Sequence, residues 1–220
     1  MAESFSRPLI GCVIMASGLS TRFGSNKLLA DFGGRPMLCR ALDASDTPAL
    51  AARVVATRSP EVRQLCRAQN VPCILHSLPG RNDTVRLGLE AVLEQCPDLA
   101  GCMFLPGDQP LLTRQSVERM VDACGRDRAM RAGQQKETER EIFRLGHRAK
   151  NDPSPLLGSP VLFGNAYFSQ LRTLPEGKGG NVLIRQYPER VHAVYTARRE
   201  ELCDADTPEA LEELLRILRQ

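Results

Sequence analysis

An apolar run from Leu9 to Ala16 gives way to a glycine-punctuated stretch, Ser17-Gly18-Leu19-Ser20-Thr21-Arg22-Phe23-Gly24-Ser25-Asn26-Lys27, that carries two cations. Glycine lets backbone N–H groups approach a ligand closely, and fixed cations neutralise a polyphosphate. A strand-like run, a glycine loop, Arg22 and Lys27, in that order, read as a site for a nucleoside triphosphate. The spacing is not that of a Walker A loop, which needs Gly, four residues and Gly-Lys-Ser/Thr. Here five residues part Gly18 from Gly24, and Leu28 follows the lysine, so no hydroxyl stands there to meet magnesium. The competing reading is a surface turn with two solvated cations.

Two aspartate motifs belong to the same chemistry. Asp108 in Pro106-Gly107-Asp108-Gln109-Pro110 closes the apolar run Cys102-Met103-Phe104-Leu105. A carboxylate at the end of a buried strand is placed to hold magnesium with a phosphate oxygen. Its plain alternative is a turn aspartate. Asp204 and Asp206 stand two apart, and alternate residues of an extended backbone share a face. Asp206 reads equally as the cap of a final helix, and Asp204 as a solvated loop acid. The stretch Gly80 to Leu89 opens a helix that Asn82 or Asp83 caps, or that sets Asp83 and Thr84 against a base or ribose. Gly177-Lys178-Gly179-Gly180 and Gly158-Ser159-Pro160 are candidates to face an anionic acceptor. His76, His147 and His192 show no ligand spacing, which favours a structural or solvated role.

These groups need a scaffold that brings them to one edge. Strand-like runs (9–16, 53–57, 72–76, 100–105, 160–163 and 191–195) alternate with amphipathic stretches (36–44, 60–69, 82–95, 114–124 and 165–171). That alternation predicts an α/β fold: a Rossmann-like, mainly parallel sheet with helices on both faces. Ligands in such sheets lie beyond the carboxyl ends of the strands, where the first loop falls. Asp206-Thr207-Pro208-Glu209 begins a C-terminal helix with Leu211, Leu214, Leu215 and Leu218 on one face. The charge-dense segment at about 126–150, poor in apolar anchors, reads as a solvated excursion or lid. The 220 residues otherwise form a single domain over 1–220.

Bulk properties exclude several classes. A net charge of +3 and 5% aromatic residues leave no basic, stacking surface for nucleic acid. No apolar run approaches the roughly 20 residues that span a bilayer. A polar N-terminus and eight scattered cysteines without a Cys-x-x-Cys pair predict a cytoplasmic protein with free thiols.

With these residues in view, the chain resembles the MobA-like nucleotidyltransferases. Their pattern Leu-Ala-Ala-Gly-x-Ser-x-Arg-Met/Phe-Gly-x-x-Lys is matched by Ala16 to Lys27, their Gly-Asp-Gln-Pro by Gly107 to Pro110, and their Asp-x-Asp-Thr-Pro-Glu by Asp204 to Glu209. Residues 158–163 and 177–180 resemble the branch that matures the molybdenum cofactor. Ser17 stands where alanine is common, and Ser159 where histidine or asparagine is frequent.

The resemblance implies a nucleotide-diphospho-sugar transferase type of fold and a Mg2+-dependent cytidylyltransferase. Gly18 and its neighbours Ala16 and Ser17 would lie along the nucleotide, Arg22 and Lys27 on the triphosphate, and Asp108 and Asp206 on the metal. The implied partners are a nucleoside triphosphate, first of all CTP, and molybdopterin. A molybdenum hydroxylase apoenzyme would follow as recipient. The alternatives are a guanylyl- or sugar-phosphate nucleotidyltransferase, or a non-catalytic cofactor carrier.

Overall fold

The computed structural model describes residues 7–18, 23–134, 140–150 and 154–220. Seven strands form one sheet: β1 (Ile10–Ala16), β2 (Ala52–Thr57), β3 (Cys73–Leu75), β4 (Gly101–Pro106), β5 (Ile142–His147), β6 (Leu156–Gly164) and β7 (Val191–Thr196). Their spatial order is β3-β2-β1-β4-β6-β5-β7. β1 pairs in parallel with β2 and β4, and β2 with β3. β6 runs antiparallel between β4 and β5, and β7 is parallel to β5. The expected mainly parallel α/β sheet is therefore present, with one reversed strand near its centre.

β1 shows why the fold is doubly covered. Ile10, Cys12 and Ile14 enter one core with residues of α1 (Leu38–Ala44), α2 (Pro60–Ala68), α4 (Arg114–Gly133) and α7 (Pro208–Leu218). Val13 points the other way, into a core shared with α3 (Arg81–Gln95), α5 (Phe168–Arg172) and α6 (Asn181–Gln186). A strand buried on both faces reads as a continuous apolar run, which is what Ile10 to Ala16 is.

α3 lies hard against β1, because Gly88 has no side chain. A Cβ on Gly88 would come within 2.3 Å of Val13 Cγ1. Val13 is stiff and fully buried, so it has nowhere to turn. Gly88→Ala is expected to destabilise the fold by about 1–3 kcal/mol, the usual cost of overpacking. Urea unfolding checks this; an unchanged midpoint would mean that the helix shifts freely on the sheet.

The charged segment is not the excursion that its composition suggests. Residues 126–133 prolong α4, and Ile142–His147 is an inner strand of the sheet. Its few apolar residues are concentrated where pairing needs them: Ile142, Phe143 and Leu145 are buried. The buried carboxylate of Glu141 is matched by Arg131 at 3.0 Å, by Arg190 at 3.1 Å and by His192. Charge is thus neutralised partly within the segment and partly by the distant Arg190 and His192, which counting charges along the chain does not reveal. Residues 135–139 of that segment lie outside the described residues.

Candidate active site

Ser17, Arg58 and Asp108, just beyond the carboxyl ends of β1, β2 and β4, line one cleft; Gly107 also follows β4, and His76, which follows β3, contacts Ser17. A cavity of about 550 Å3 opens there, within the range of small-ligand sites. Gly107 lets the ends of β1 and β4 close on each other. Its N–H donates to the Met15 carbonyl at 3.0 Å, and a Cβ would lie 3.1 Å from that same oxygen.

Ser17 is held from three sides. Its hydroxyl donates to the Ala56 carbonyl at 3.0 Å, its oxygen lies 3.1 Å from His76 Nε2, and Arg58 Nε donates to its carbonyl at 2.9 Å. Thr84, at the start of α3, also reaches His76 Nε2, at 3.3 Å, while its hydroxyl leans on the Gly80 carbonyl. The two hydroxyls thus share His76 Nε2, and each has a backbone carbonyl as its second partner. Burial first, then Arg58, hold the His76 imidazole below its ordinary value; Arg86 adds to this, and the Leu78 carbonyl and Asp83 oppose it.

Stability follows with a definite sign. The unfolded chain takes up a proton below about pH 6.5 that folded His76 resists. Stability is therefore lost as pH falls from about 6.5 towards the depressed folded value. His76→Gln is expected to flatten that part of the profile, as read by urea unfolding at pH 7.5 and 5.5. Parallel profiles for the variant and the wild type would show that His76 does not contribute to it.

The other end of the cleft is ionic. Gly24 takes a positive φ of 76°, and Asn26 then caps the turn Lys27–Leu29 by accepting the Leu28 N–H at 3.2 Å. Buried Leu28 anchors the turn beneath the cleft. Lys27 Nζ lies 2.6 Å from Asp108 Oδ2 and 2.7 Å from Asp206 Oδ1, with only 7% of the residue exposed. Burial pulls the ammonium's pKa down; hydrogen bonds and charge from Asp108 and Asp206 outweigh it and leave the pKa above the ordinary lysine value.

Asp206 reaches the site because the Ala205 N–H donates to the Asp108 carbonyl at 2.9 Å. Ala205 is buried, while Asp204 and Asp206 on either side both line the cleft. Asp206 is not the cap of α7. Thr207 is, its Oγ1 accepting the Ala210 N–H at 3.2 Å. Asp204 still faces solvent, yet burial within the cleft and then the charge of Asp108 raise its carboxyl above the ordinary carboxylate range.

Of the residues singled out in the sequence, Ser17, Gly18, Lys27, Thr84, Asp108 and Asp206 line the cleft. Ala16 does not; it is the buried last residue of β1, and its carbonyl accepts Thr57 Oγ1 at 2.9 Å. Asp83 takes the capping role, accepting the Gly80 N–H at 3.1 Å and pairing with Arg86. Arg22 lies outside the described residues. Gly179, Gly180 and Ser159 form part of the opposite wall, and Gly177 N–H donates to Asn82 at 2.8 Å, tying that loop to the start of α3.

Arg58 is a cleft residue that the sequence reading does not single out, while His76, read as structural or solvated, holds Ser17 and Thr84. The signal for Arg58 is in the sequence: it is the first residue after the predicted strand 53–57, the position that faces the ligand in such sheets.

Sheet order, cleft and ionic pair define a nucleotide-diphospho-sugar transferase fold. The chain belongs to the family of MobA-like NTP transferase domains, which matches residues 12–191. It is 30% identical over 107 residues to 3-deoxy-manno-octulosonate cytidylyltransferase of Polynucleobacter asymbioticus, covering 47% of this chain and 42% of that protein. The chain thus spans less than half the length of the curated relatives it matches.

Among solved structures it resembles Rv0371c of Mycobacterium tuberculosis H37Rv, with TM-score 0.75, 21% identity and coverage of 94% and 98% of the two chains. That protein has also been crystallised with manganese. CMP:2-keto-3-deoxy-manno-octonic acid synthetase complexed with CTP superposes with TM-score 0.71 at 16% identity, covering 98% and 99% of the two chains. Among the described residues no helix is long and apolar enough to cross a membrane.

Proposed function

We propose that this protein is a magnesium-dependent nucleotidyltransferase that transfers a nucleoside monophosphate, CMP before others, to the terminal phosphate of molybdopterin and releases pyrophosphate. The observation that carries the reading is the convergence of Lys27, Asp108 and Asp206 at one end of a cleft walled by Ser17, Gly18 and the start of α3. Two carboxylates aimed at one point are a hard-oxygen donor set that suits magnesium, which ordinarily takes one or two protein carboxylates beside substrate phosphates. Asp108 and Asp206 would hold it, and when bound it supplies positive charge to the phosphate oxygens.

The acceptor phosphate is already an anion and attacks the α-phosphorus directly, so the chain need not supply a general base. Its residues align two polyanions and offset the charge that gathers on the leaving pyrophosphate. Lys27 provides such a cation, and Arg22 is proposed as a second. The role of the Ser17–His76–Thr84 clamp is to hold the nucleotide wall in place before the ligand arrives.

This reading assigns a flat ring to the apolar wall of the cleft. Phe104, Val161, Phe163, Leu171 and Ile184 line it, beside Ser159 and Asn181. Gly180 is pressed so close to Phe163 that a Cβ would lie 2.7 Å from the ring. A polyhydroxylated acceptor would leave its hydroxyls facing apolar groups, at a cost of about 1–3 kcal/mol for each one unpaired. The second reading, a sugar-acid acceptor, is favoured by the similarity to 3-deoxy-manno-octulosonate cytidylyltransferases. Pyrophosphate release from CTP, GTP, ATP and UTP, each with molybdopterin or with 3-deoxy-manno-octulosonate, decides between them. Release with CTP and molybdopterin is expected. Release only with the sugar acid would replace this acceptor, and none with any pair would remove the activity.

A further inference from the structure

We infer that Lys27 is a resident stand-in for the metal: in the nucleotide-free protein its ammonium occupies the point between Asp108 and Asp206, and it yields that point only to a divalent cation that arrives with a triphosphate. The inference rests on the proposed reading of these two carboxylates as the metal's ligands. The geometry behind it is the approach of one nitrogen to both carboxylates, 2.6 Å to Asp108 Oδ2 and 2.7 Å to Asp206 Oδ1. A lysine extended towards a triphosphate would not make both contacts.

Three features make an exchange workable. First, the carboxylates cannot be left facing each other unpaired. They are held together by the Ala205 N–H to Asp108 carbonyl bond, and Asp204 adds a third acid on the same wall. Like charges so placed repel strongly in a partly desolvated cleft, so the empty site needs a cation. Second, a free divalent ion must displace an ammonium that is itself almost wholly buried. Without a new anion to receive it, that ammonium would give up its contacts to Asp108 and Asp206, which is costly for a buried charge. Third, a triphosphate entering the cleft is such an anion, and Lys27 already lines the cleft beside Gly18. The lysine can pass from carboxylate to phosphate without returning to water. The ligand recognised is therefore a metal–nucleotide complex rather than a metal followed by a nucleotide.

The test measures metal binding without turnover. Free Mn2+ is titrated by electron paramagnetic resonance against wild type and Lys27→Met, with neither nucleotide nor acceptor present. Lys27→Met is expected to bind Mn2+ more tightly, by roughly tenfold or more, because one competing unit charge has been removed from a confined site. Lys27→Met combined with Asp206→Asn is expected to lose that gain. In wild type, a non-reactive α,β-methylene analogue of CTP is expected to bring Mn2+ affinity up to that of the variant.

Circular dichroism confirms that each variant is folded; Lys27→Gln is the substitute if methionine is not tolerated. Equal or weaker Mn2+ binding by folded Lys27→Met or Lys27→Gln overturns the inference, as does a gain that survives Asp206→Asn. Failure of the proposed activity shows up separately, as wild type that releases no pyrophosphate with any nucleotide and acceptor.

Discussion

Asp108→Asn is expected to lower kcat by roughly 10²–10³-fold, about 3–4 kcal/mol in the barrier, the scale of losing one preorganised electrostatic contact in a closed site. The amide keeps the shape of the carboxylate at the end of β4 but loses the charge that faces Lys27 Nζ at 2.6 Å. Asp206 remains to hold Lys27, so the fold should survive and nucleotide should still bind in part. The measurement is pyrophosphate release titrated with magnesium. The variant is expected to need much more metal and to stay slow at saturation. An unchanged rate with an unchanged magnesium dependence would make Asp108 a turn residue that merely meets a lysine.

Asp206→Asn separates a ligand from a structural acid more sharply still. The helix that follows is capped by Thr207, so the substitution leaves the cap intact. The Asp206 carboxylate is 37% exposed, and buried Lys27 keeps its contact to Asp108 at 2.6 Å when Asp206 loses its charge. The melting temperature should therefore barely move. Catalysis is expected to fall by roughly 10²-fold or more, because the second oxygen ligand carries charge that an amide lacks. Full activity with an unmoved melting temperature would show that Asp206 serves only as a counter-ion on the cleft rim. A large drop in melting temperature would instead make its role structural.

The two expectations draw on different levels of information. The sequence by itself determined the class of fold, because apolar runs of strand length alternating with amphipathic stretches admit few arrangements. It also marked Lys27, Asp108 and Asp206, since a glycine-rich loop and a buried strand ending in Gly-Asp are local features that survive any packing. The alternation across Asp204, Ala205 and Asp206 was legible for the same reason: a two-residue period is a property of extended backbone.

What the tertiary structure decided is everything that depends on strand order. Ser17 is far from His76 and Thr84 in the chain and meets them only because β3, β2 and β1 lie side by side. The cap of α7 moved by one residue, from Asp206 to Thr207, once the Ala205 N–H was drawn to the Asp108 carbonyl. A charge-rich segment became an inner strand because Glu141 finds Arg131 and Arg190 on other elements. Composition records how many charges a segment carries but not which of them are neighbours, and Coulomb energies depend on distance in space. Lys27 obeys the same rule: its position in the loop marked it as a cation for a ligand, but the two carboxylates that hold it come from the ends of β4 and the C-terminal segment, brought together by the folded sheet.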